Sequence, residues 1–512
     1  MSFTESLTEL VAGNRNKLLA MHPSWERVGL SDVASIQNGF PFESKFFTAS
    51  TGMPLIRIRD VLDGETETYY TAEYEEEFVV QRDDLLIGMD GDFHCSLWTG
   101  RPALLNQRVC RLFPEEQFYD KRFLRYTLPG YLSSINSATS SVTVKHLSSR
   151  TVADIPLPLP PLPEQHRIVE KIEELFSDLD AGVSALQRAK VNLKRYRSSV
   201  LKSAVEGRLT EEWRKEHPQA EDGGMLLDNI LRERHQKWEK DQLLKFKEKG
   251  KEPPKNWESK YEEPSAPDTS ELPELPEGWV WATVGQVAND VTVGHVGSMK
   301  ERYVDDGIPF LRSQNVRPLR YDRLGLRFIP TDFHEELAKS RLFGGELLVV
   351  RSGNIGEACV YPKGEPEANC SDLVITRLSD EALAEYVALF VVSPVGQASV
   401  IGKKTGSALP HFNVGAMERS PIPLPPLAEQ KQIVALVEER LSQIDSAQKT
   451  IDAELIRSKR LRQSILKRAF EGNLVPQDPT DEPASVLLER IKASKETEQP
   501  KKKTKKVKAK SK

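Results

Sequence analysis

The strongest constraint on this chain is a repeat within itself. The segment IPLPLPPLPEQHRIV, Ile155 to Val169, returns as SPIPLPPLAEQKQIV, Ser420 to Val434. The match runs without a gap to EGRL, Glu206 to Leu209, against EGNL, Glu471 to Leu474. Of the 54 positions from Pro156 to Leu209, 24 are identical to those from Pro421 to Leu474. The period of 265 residues is far beyond the roughly 20–50 residues of a solenoid unit. It therefore marks a duplicated pair of domain and helix. Weaker echoes lie upstream: GMPLIRIRDV (Gly52–Val61) against GIPFLRSQNV (Gly307–Val316), DLLIGMDGD (Asp84–Asp92) against ELLVVRSGN (Glu346–Asn354), and Trp25-x-x-Val28 against Trp281-x-x-Val284. The helices have stayed alike while the domains have diverged.

Prolines 156, 158, 160, 161 and 163 forbid helix and enforce an extended entry to the first copy. Beyond them, Glu164 to Val205 holds no proline and one glycine. Apolar residues recur every seven: Ile172, Leu179, Leu186, Leu193 and Val200, matched in the second copy by Val437, Ile444, Ile451, Ser458 and Ile465. This is the seam of a coiled coil or long antiparallel helix pair. The intermediate positions are poorer: Leu175, Gly182, Ala189 and Tyr196, then Arg440, Ala447, Glu454 and Leu461. Small residues there are expected to let two backbones approach closely. Gly207 and Gly472 stand where a left-handed C-terminal cap belongs. Forty-two helical residues span roughly 63 Å. A lone helix of this kind would expose its seam, so the two copies are the expected partners for each other. Antiparallel pairing would give a pseudo-two-fold arrangement with the variable domains at opposite ends. Ordinary amphipathic helices on separate cores are the bland alternative, but these need not keep equal length.

The variable domains read as mixed α and β. Strands are expected at Pro54–Ile58, Asp84–Ile87, Arg108–Phe113, Pro309–Arg312, Glu346–Val350 and Leu373–Leu378, and helices at Asp120–Tyr126 and Glu381–Val392. Candidate DNA contacts are polar residues set among them: Arg57, Arg59, Lys145 and His146 in the first, and Arg312, Gln314, Asn315, Lys403, Lys404 and His411 in the second. Arg pairs with guanine, and Asn or Gln with adenine, by two hydrogen bonds in the major groove. Arg57 and Arg312 are equivalent in the repeat, so they could equally brace a turn. Divergent loops are better base readers, because equal positions cannot distinguish unlike half-sites. The echo of Met225-Leu226-Leu227-x-x-Ile230 in Val486-Leu487-Leu488-x-x-Ile491 suggests short helices capping the helix pair.

Composition excludes several classes. No run of about 18 apolar residues occurs, so no membrane-spanning helix is expected. The first residues lack a basic-then-apolar secretory layout. Four cysteines in 512 residues do not make a disulfide framework, and a cytoplasmic setting is expected. Cys95 and Cys359 fall at near-equivalent places among apolar neighbours and read as core. The formal charge of −5 leaves DNA binding to local patches. Eight lysines in Lys501–Lys512 form a solvated tail, with phosphate attraction as the functional alternative. Catalytic motifs fail. There is no Asn/Asp-Pro-Pro-aromatic methyltransferase loop. Gly402-Lys403-Lys404-Thr405 has its upstream Gly396 one residue too far for a phosphate loop, and Lys404 where Ser or Thr must stand. Pro267–Asp268 follows Glu258-x-Lys260, the wrong order for a nuclease core, and no cysteine spacing suits zinc.

The doubled Pro-Leu-Pro-Pro-Leu-x-Glu-Gln (Pro158–Gln165 and Pro423–Gln430), the long helix after each, and the Glu-Gly-x-Leu ending resemble the specificity subunits of type I restriction-modification enzymes. The resemblance covers about residues 23–491. It implies two target-recognition domains, each reading half of a bipartite asymmetric site on double-stranded DNA. It implies that the long helices set the spacing between halves and bind two modification (methyltransferase) subunits, which two restriction subunits then join. S-adenosylmethionine, ATP and magnesium would belong to those partners, and no catalytic, cofactor or metal residue carries over to this chain. The expected fold is therefore mixed α+β, a pseudo-two-fold internal repeat of two recognition domains separated by two long antiparallel coiled-coil helices. The expected segments are an N-terminal helical segment (1–22), the first recognition domain (23–155), the first spacer helix (156–210), a charged helical segment with a proline-rich linker (211–278), the second recognition domain (279–420), the second spacer helix (421–475), and a short helix with the lysine tail (476–512). A coiled-coil adaptor without DNA specificity is the alternative. It would not need two divergent, strand-rich domains bearing Arg, Asn and Gln. A complete restriction enzyme in one chain is disfavoured by the missing motifs.

Overall fold

The computed structural model describes residues 7–13, 18–139, 145–218, 221–378, 381–400 and 412–498. The chain divides into two compact units, Met1–Leu186 with Ala453–Lys512, and Gln187–Asp452. Both cuts fall inside a long helix, so each unit holds one domain and half of each helix.

In the first unit the proline run does not merely enter the helix. Pro156–Leu159 is a strand, antiparallel to Glu26–Gly29 with Val28 opposite Leu157. A two-stranded pairing is where prolines, lacking the donor, are tolerated. A four-stranded antiparallel sheet runs in the order Ala34–Asn38, Val109–Pro114, Leu85–Gly88, Cys95–Leu97. In a five-stranded sheet Met53–Ile56 lies parallel to Ala103–Leu105. The helix Lys121–Ala138 starts where Asp120 accepts the Phe123 N–H at 2.8 Å. It outruns the expected Asp120–Tyr126 because buried Leu128, Leu132 and Ile135 continue its apolar face past Pro129.

The second unit repeats this plan. Val280–Thr283 pairs antiparallel with Pro421–Leu424. The four-stranded sheet runs Ala288–Val293, Leu373–Leu378, Leu347–Val350, Ala358–Val360, and Ile308–Leu311 lies parallel to Asn369–Cys370. The helix Glu381–Val392 has the expected bounds.

The long helices are Leu162–Val205 and Leu427–Phe470, 44 residues each, or roughly 66 Å. Their contacts are antiparallel in both units. In the first, Arg462 pairs with Asp180 and lies 4.1 Å over the Phe176 ring. In the second, Lys190 meets Asp452 at 2.8 Å and Arg197 pairs with Asp445. Each step forward along one helix is matched by an equal step back along the other. Asp180 and Asp445 are equivalent in the repeat, as are Arg197 and Arg462, so one ion pair is made twice. Ile172, Val200, Val437, Ile444, Ile451 and Ile465 are buried, and Leu179, Leu186 and Leu193 half-buried. The intermediate positions are less covered: Leu175, Ala189, Arg440, Ala447 and Glu454 are half-buried, Tyr196 and Leu461 are 42 % and 50 % exposed, and Arg440 donates to the Tyr196 hydroxyl across the pair at 2.9 Å. Close approach at Gly182 is also corrected, since a Cβ there would meet nothing within 4 Å. One apolar stripe flanked by ion pairs holds the helices and leaves their other faces uncovered.

Gly207 and Gly472 end the helices with φ of +70° and +69°. Arg208 N–H reaches back to Ser203 O at 2.9 Å and Asn473 N–H to Arg468 O at 2.8 Å, the six-to-one bond of a Schellman cap.

The repeated Glu-Gln closes each domain onto its helix. Glu164 accepts the Trp25 indole N–H at 3.0 Å and the Gln477 amide. Glu429 accepts Trp279 at 2.9 Å, Thr210 Oγ at 2.6 Å, and Arg214. Burial pushes the Glu164 carboxyl above its ordinary value, partly offset by the Gln477 and Trp25 hydrogen bonds. Gln165 donates to Pro160 O at 3.0 Å and Gln430 to Pro425 O at 2.9 Å. Tyr119 and Tyr386 donate to the strand carbonyls of Pro158 and Pro423 at 3.0 and 2.9 Å.

The helices carrying the echoed apolar motif, of 26 and 15 residues, pack on the domains instead of capping the helix pair. Leu487 and Ile491 of Ala484–Glu498 are about 1 % exposed in the core of the first domain, and Ile230 of Gly223–Glu248 joins that of the second. Their apolar triplets have more surface to bury against a sheet-and-helix core than against a helix end.

Candidate nucleic-acid interface

In each domain the parallel strand pair ends at a cluster of turns. Phe40 bridges Asn106 in the first domain and His295 bridges Ser371 in the second. Gly39 and Gly294 precede these bridges and admit no side chain: a Cβ would stand 2.0 Å from Asn106 O and 2.7 Å from Cys370 O. Next to them lie Arg57 and Arg312, each at the end of its strand, with the backbone N–H held by a side chain three residues on. Asp60 Oδ2 accepts from Arg57 at 2.8 Å and Asn315 Oδ1 from Arg312 at 3.0 Å. Asp60 and Asn315 are buried, so the brace of this turn is the third residue after the arginine.

The candidate residues fare differently. Arg57 is exposed and lines a recess of about 390 Å³ with Phe42, Ser44, Asn106, Gln107 and Arg108. Arg59 is exposed, 3.5 Å from the Asp60 carboxylate. Lys145 is tied to the end of helix Lys121–Ala138, donating to Asn136 O at 2.5 Å and Oδ1 at 3.1 Å. His146 Nδ1 lies 2.5 Å from Asp90 Oδ1, and Arg108 Nε is 3.3 Å from the same carboxylate. In the second domain Arg312 and Gln314 both donate to Gly325 O, at 2.8 and 3.1 Å. Asn315 is fully buried, with its amide given to Asp322 O and Leu324 O, so it offers nothing to a base. Lys403, Lys404 and His411 lie outside the described residues.

Sequence reading missed Asn106, Gln107 and Arg108, having placed Arg108 at the start of a strand. The available signal was the repeat: three residues separate Leu105 from Val109, but two separate Cys370 from Leu373. Among the described residues no group of three or more His, Cys, Asp or Glu is arranged to hold a metal. No helix among them is long and apolar enough to cross a membrane. Cys95 and Cys359 lie on equivalent strands, Cys95 half-buried against the first core and Cys359 buried; burial pushes the Cys359 thiol up to about 12.

Two strand-rich domains with matching frames and unlike rims, each seated on a long helix, define a two-headed recognition protein. The model of the type I restriction modification DNA specificity domain matches residues 23–186 and again 276–457. The chain is 35 % identical over 506 residues to the type I restriction enzyme EcoBI specificity subunit of Escherichia coli, covering 96 % of this chain and 97 % of that one. It is 25 % identical to the EcoKI specificity subunit of Escherichia coli K12, covering 92 % and 95 %. A chain from a structure of the complex assembly and conformational transition of the type I R-M system matches in fold, with a TM-score of 0.58 at 17 % identity, covering 88 % of this chain and 99 % of that one. The chain belongs to the type I restriction-modification DNA specificity family, and its part in such a system is recognition of DNA, not catalysis.

Proposed function

We propose that each domain reads one half of a bipartite, asymmetric site on double-stranded DNA, and that the paired helices set the distance between the halves. The observation that supports this most is one frame built twice with different side chains on its rim. Gly39 and Gly294, Arg57 and Arg312 recur, whereas Phe40 stands against His295 and Arg108 against Asp372. A symmetric reader would need equal rims. Phosphate contacts fix register and base contacts specify. Half-sites read from one face of the duplex lie about one turn apart, roughly 34–36 Å, within the reach of two 44-residue helices.

The partners in this reading are two modification subunits on the helices, which leave the repeat-equivalent Val191 and Ile456 exposed, and two restriction subunits that join them. S-adenosylmethionine, ATP and magnesium act on those subunits, in the cytoplasm where the DNA is. The test is selection from a randomised duplex library by the chain in complex with its modification subunits. Two fixed, different blocks separated by a spacer of constant length are expected. Enrichment of no sequence would overturn the reading in favour of an adaptor.

A further inference from the structure

We propose that Gln107 in the first domain and Arg351 in the second are specificity-determining residues, each reading one base of its half-site, with Arg57 and Arg312 as phosphate contacts. This rests on the reading of DNA recognition above and names the residues that carry it.

The two frames can be matched atom by atom at the turns. Gly39 N–H donates to Val109 O at 3.0 Å, and Gly294 N–H to Leu373 O at 2.8 Å. Met89 N–H donates to Arg108 O at 2.9 Å, and Arg351 N–H to Asp372 O at 3.3 Å. Arg108 therefore corresponds to Asp372, Met89 to Arg351, and Gln107 is the extra residue of the longer turn. Positions equal in both domains cannot tell two half-sites apart, so Arg57 and Arg312 suit the sequence-independent phosphate. Gln107 and Arg351 have no like counterpart.

Both are held by their backbones with side chains left over. Gln107 N–H is fixed between Asn106 Oδ1 at 2.8 Å and Phe40 O at 3.0 Å. Its amide is exposed, beside the recess shared with Arg57, and has no hydrogen-bond partner among the described residues. Donor and acceptor side by side match adenine N7 and N6. Arg108 is less suited, because Asp90 already neutralises it at 3.3 Å. Arg351 is half-buried, with no hydrogen-bond or acidic partner among the described residues, and its Nε is sealed from solvent without an acceptor. Arg312 Nε and Arg341 Nε are sealed in the same way, but Arg351 alone of the three has no hydrogen-bond or ion-pair partner at all among the described residues, so its guanidinium can pair with an acceptor brought by a ligand, and guanine O6 and N7 present two.

The test is the same library selection by the chain with its modification subunits. Gln107→Ala should lose discrimination about tenfold to a hundredfold at one adenine of one half-site, leaving the other half-site unchanged. Arg351→Ala should do the same at one guanine of the other. Arg57→Ala and Arg312→Ala should weaken all sequences alike and lower the salt dependence. Gln107→Glu and Arg351→Lys, checked for an unchanged melting temperature, should alter the preference at the same positions and so separate readout from folding. A normal bipartite wild-type site with unaltered preferences in these variants, or uniform weakening by Gln107→Ala and Arg351→Ala, would overturn the assignment alone. A wild-type complex that enriches nothing would overturn the recognition reading and this assignment with it.

Discussion

Glu164 and Glu429 hold the same place in the two repeats, yet they are satisfied differently. Each accepts a tryptophan indole from its own domain. The second partner of Glu164 is the neutral Gln477, whereas Glu429 takes Thr210 and the cation Arg214. Gln477 follows the second long helix but serves the first domain. Arg214 follows the first long helix but serves the second. Each domain is therefore closed by the tail of the other repeat. The contacts that position the reading turns are shared, and the domains diverge in accessory partners, in the rim and in the sheet behind it, five-stranded in the first and three-stranded in the second.

The comparison breaks most visibly if the halves are separated. A fragment ending near Lys260 carries Asp180 and Arg197, so two copies can make both ion pairs with each other, and Thr210 and Arg214 of one copy can serve Glu164 of the other. We expect a two-fold dimer of isologous contact that, with modification subunits, methylates an inverted repeat of the first half-site. Light scattering that gave a monomer would contradict the equivalence of the two seams.

Replacing the two glutamates sharpens it. Glu429→Gln leaves Arg214 without its carboxylate in a site where Glu429 is fully buried, and should cost about 3 kcal/mol in chemical denaturation. Glu164→Gln removes a carboxylate whose partners are neutral and should cost about 1 kcal/mol or less. The pH dependence has a definite sign. Burial raises the folded Glu164 carboxyl above its ordinary 4.5, so its favourable contribution is complete below that value and is lost as pH rises through the raised one. Wild type should lose ground to Glu164→Gln over that interval. A glutamine variant that lost ground instead would contradict the burial.

The caps come next in size. Gly207→Ala and Gly472→Ala force a left-handed conformation worth roughly 1–2 kcal/mol and bring a Cβ to 2.5 Å from Pro276 and 2.6 Å from His22. Both should lower the melting temperature by similar amounts if the two ends are equivalent. The smallest effect belongs to the helix pair. Asp180→Ala and Asp445→Ala each remove one copy of a half-exposed ion pair, about 0.5 kcal/mol. Unequal losses at matched positions would show that the repeat is not energetically symmetric.

How much of this was readable in sequence follows from where each contact lies. The proline-free stretch Glu164–Val205 placed the first helix to within two residues of Leu162–Val205, although Pro163 proves to lie inside its first turn, and Gly207 and Gly472 marked the helix ends. The equivalence of Asp180 with Asp445 and of Arg197 with Arg462 was also present, but only the antiparallel register turns those identities into pairs. The role of the Glu-Gln motif was hidden because the partners of Glu164 are 139 and 313 residues away. For the reading turns, Arg57 and Arg59 were found as basic residues beside a strand. Gln107 was not, because a turn one residue longer than its counterpart has no signature until the strands on either side are matched. Asn315 was nominated for its chemistry and proved to be buried, which only the three-dimensional turn reveals.

The claim that two unlike readers are held at a helix-set distance is tested most directly by lengthening both helices. Seven-residue insertions after Leu186 and after Leu455 keep the heptad phase and add roughly 10 Å to each helix. In the complex with modification subunits, the mapped methylation sites should retain both half-sequences and widen the spacer by about three base pairs, at roughly 3.4 Å per pair. Methylation at the original spacing alone would contradict the account.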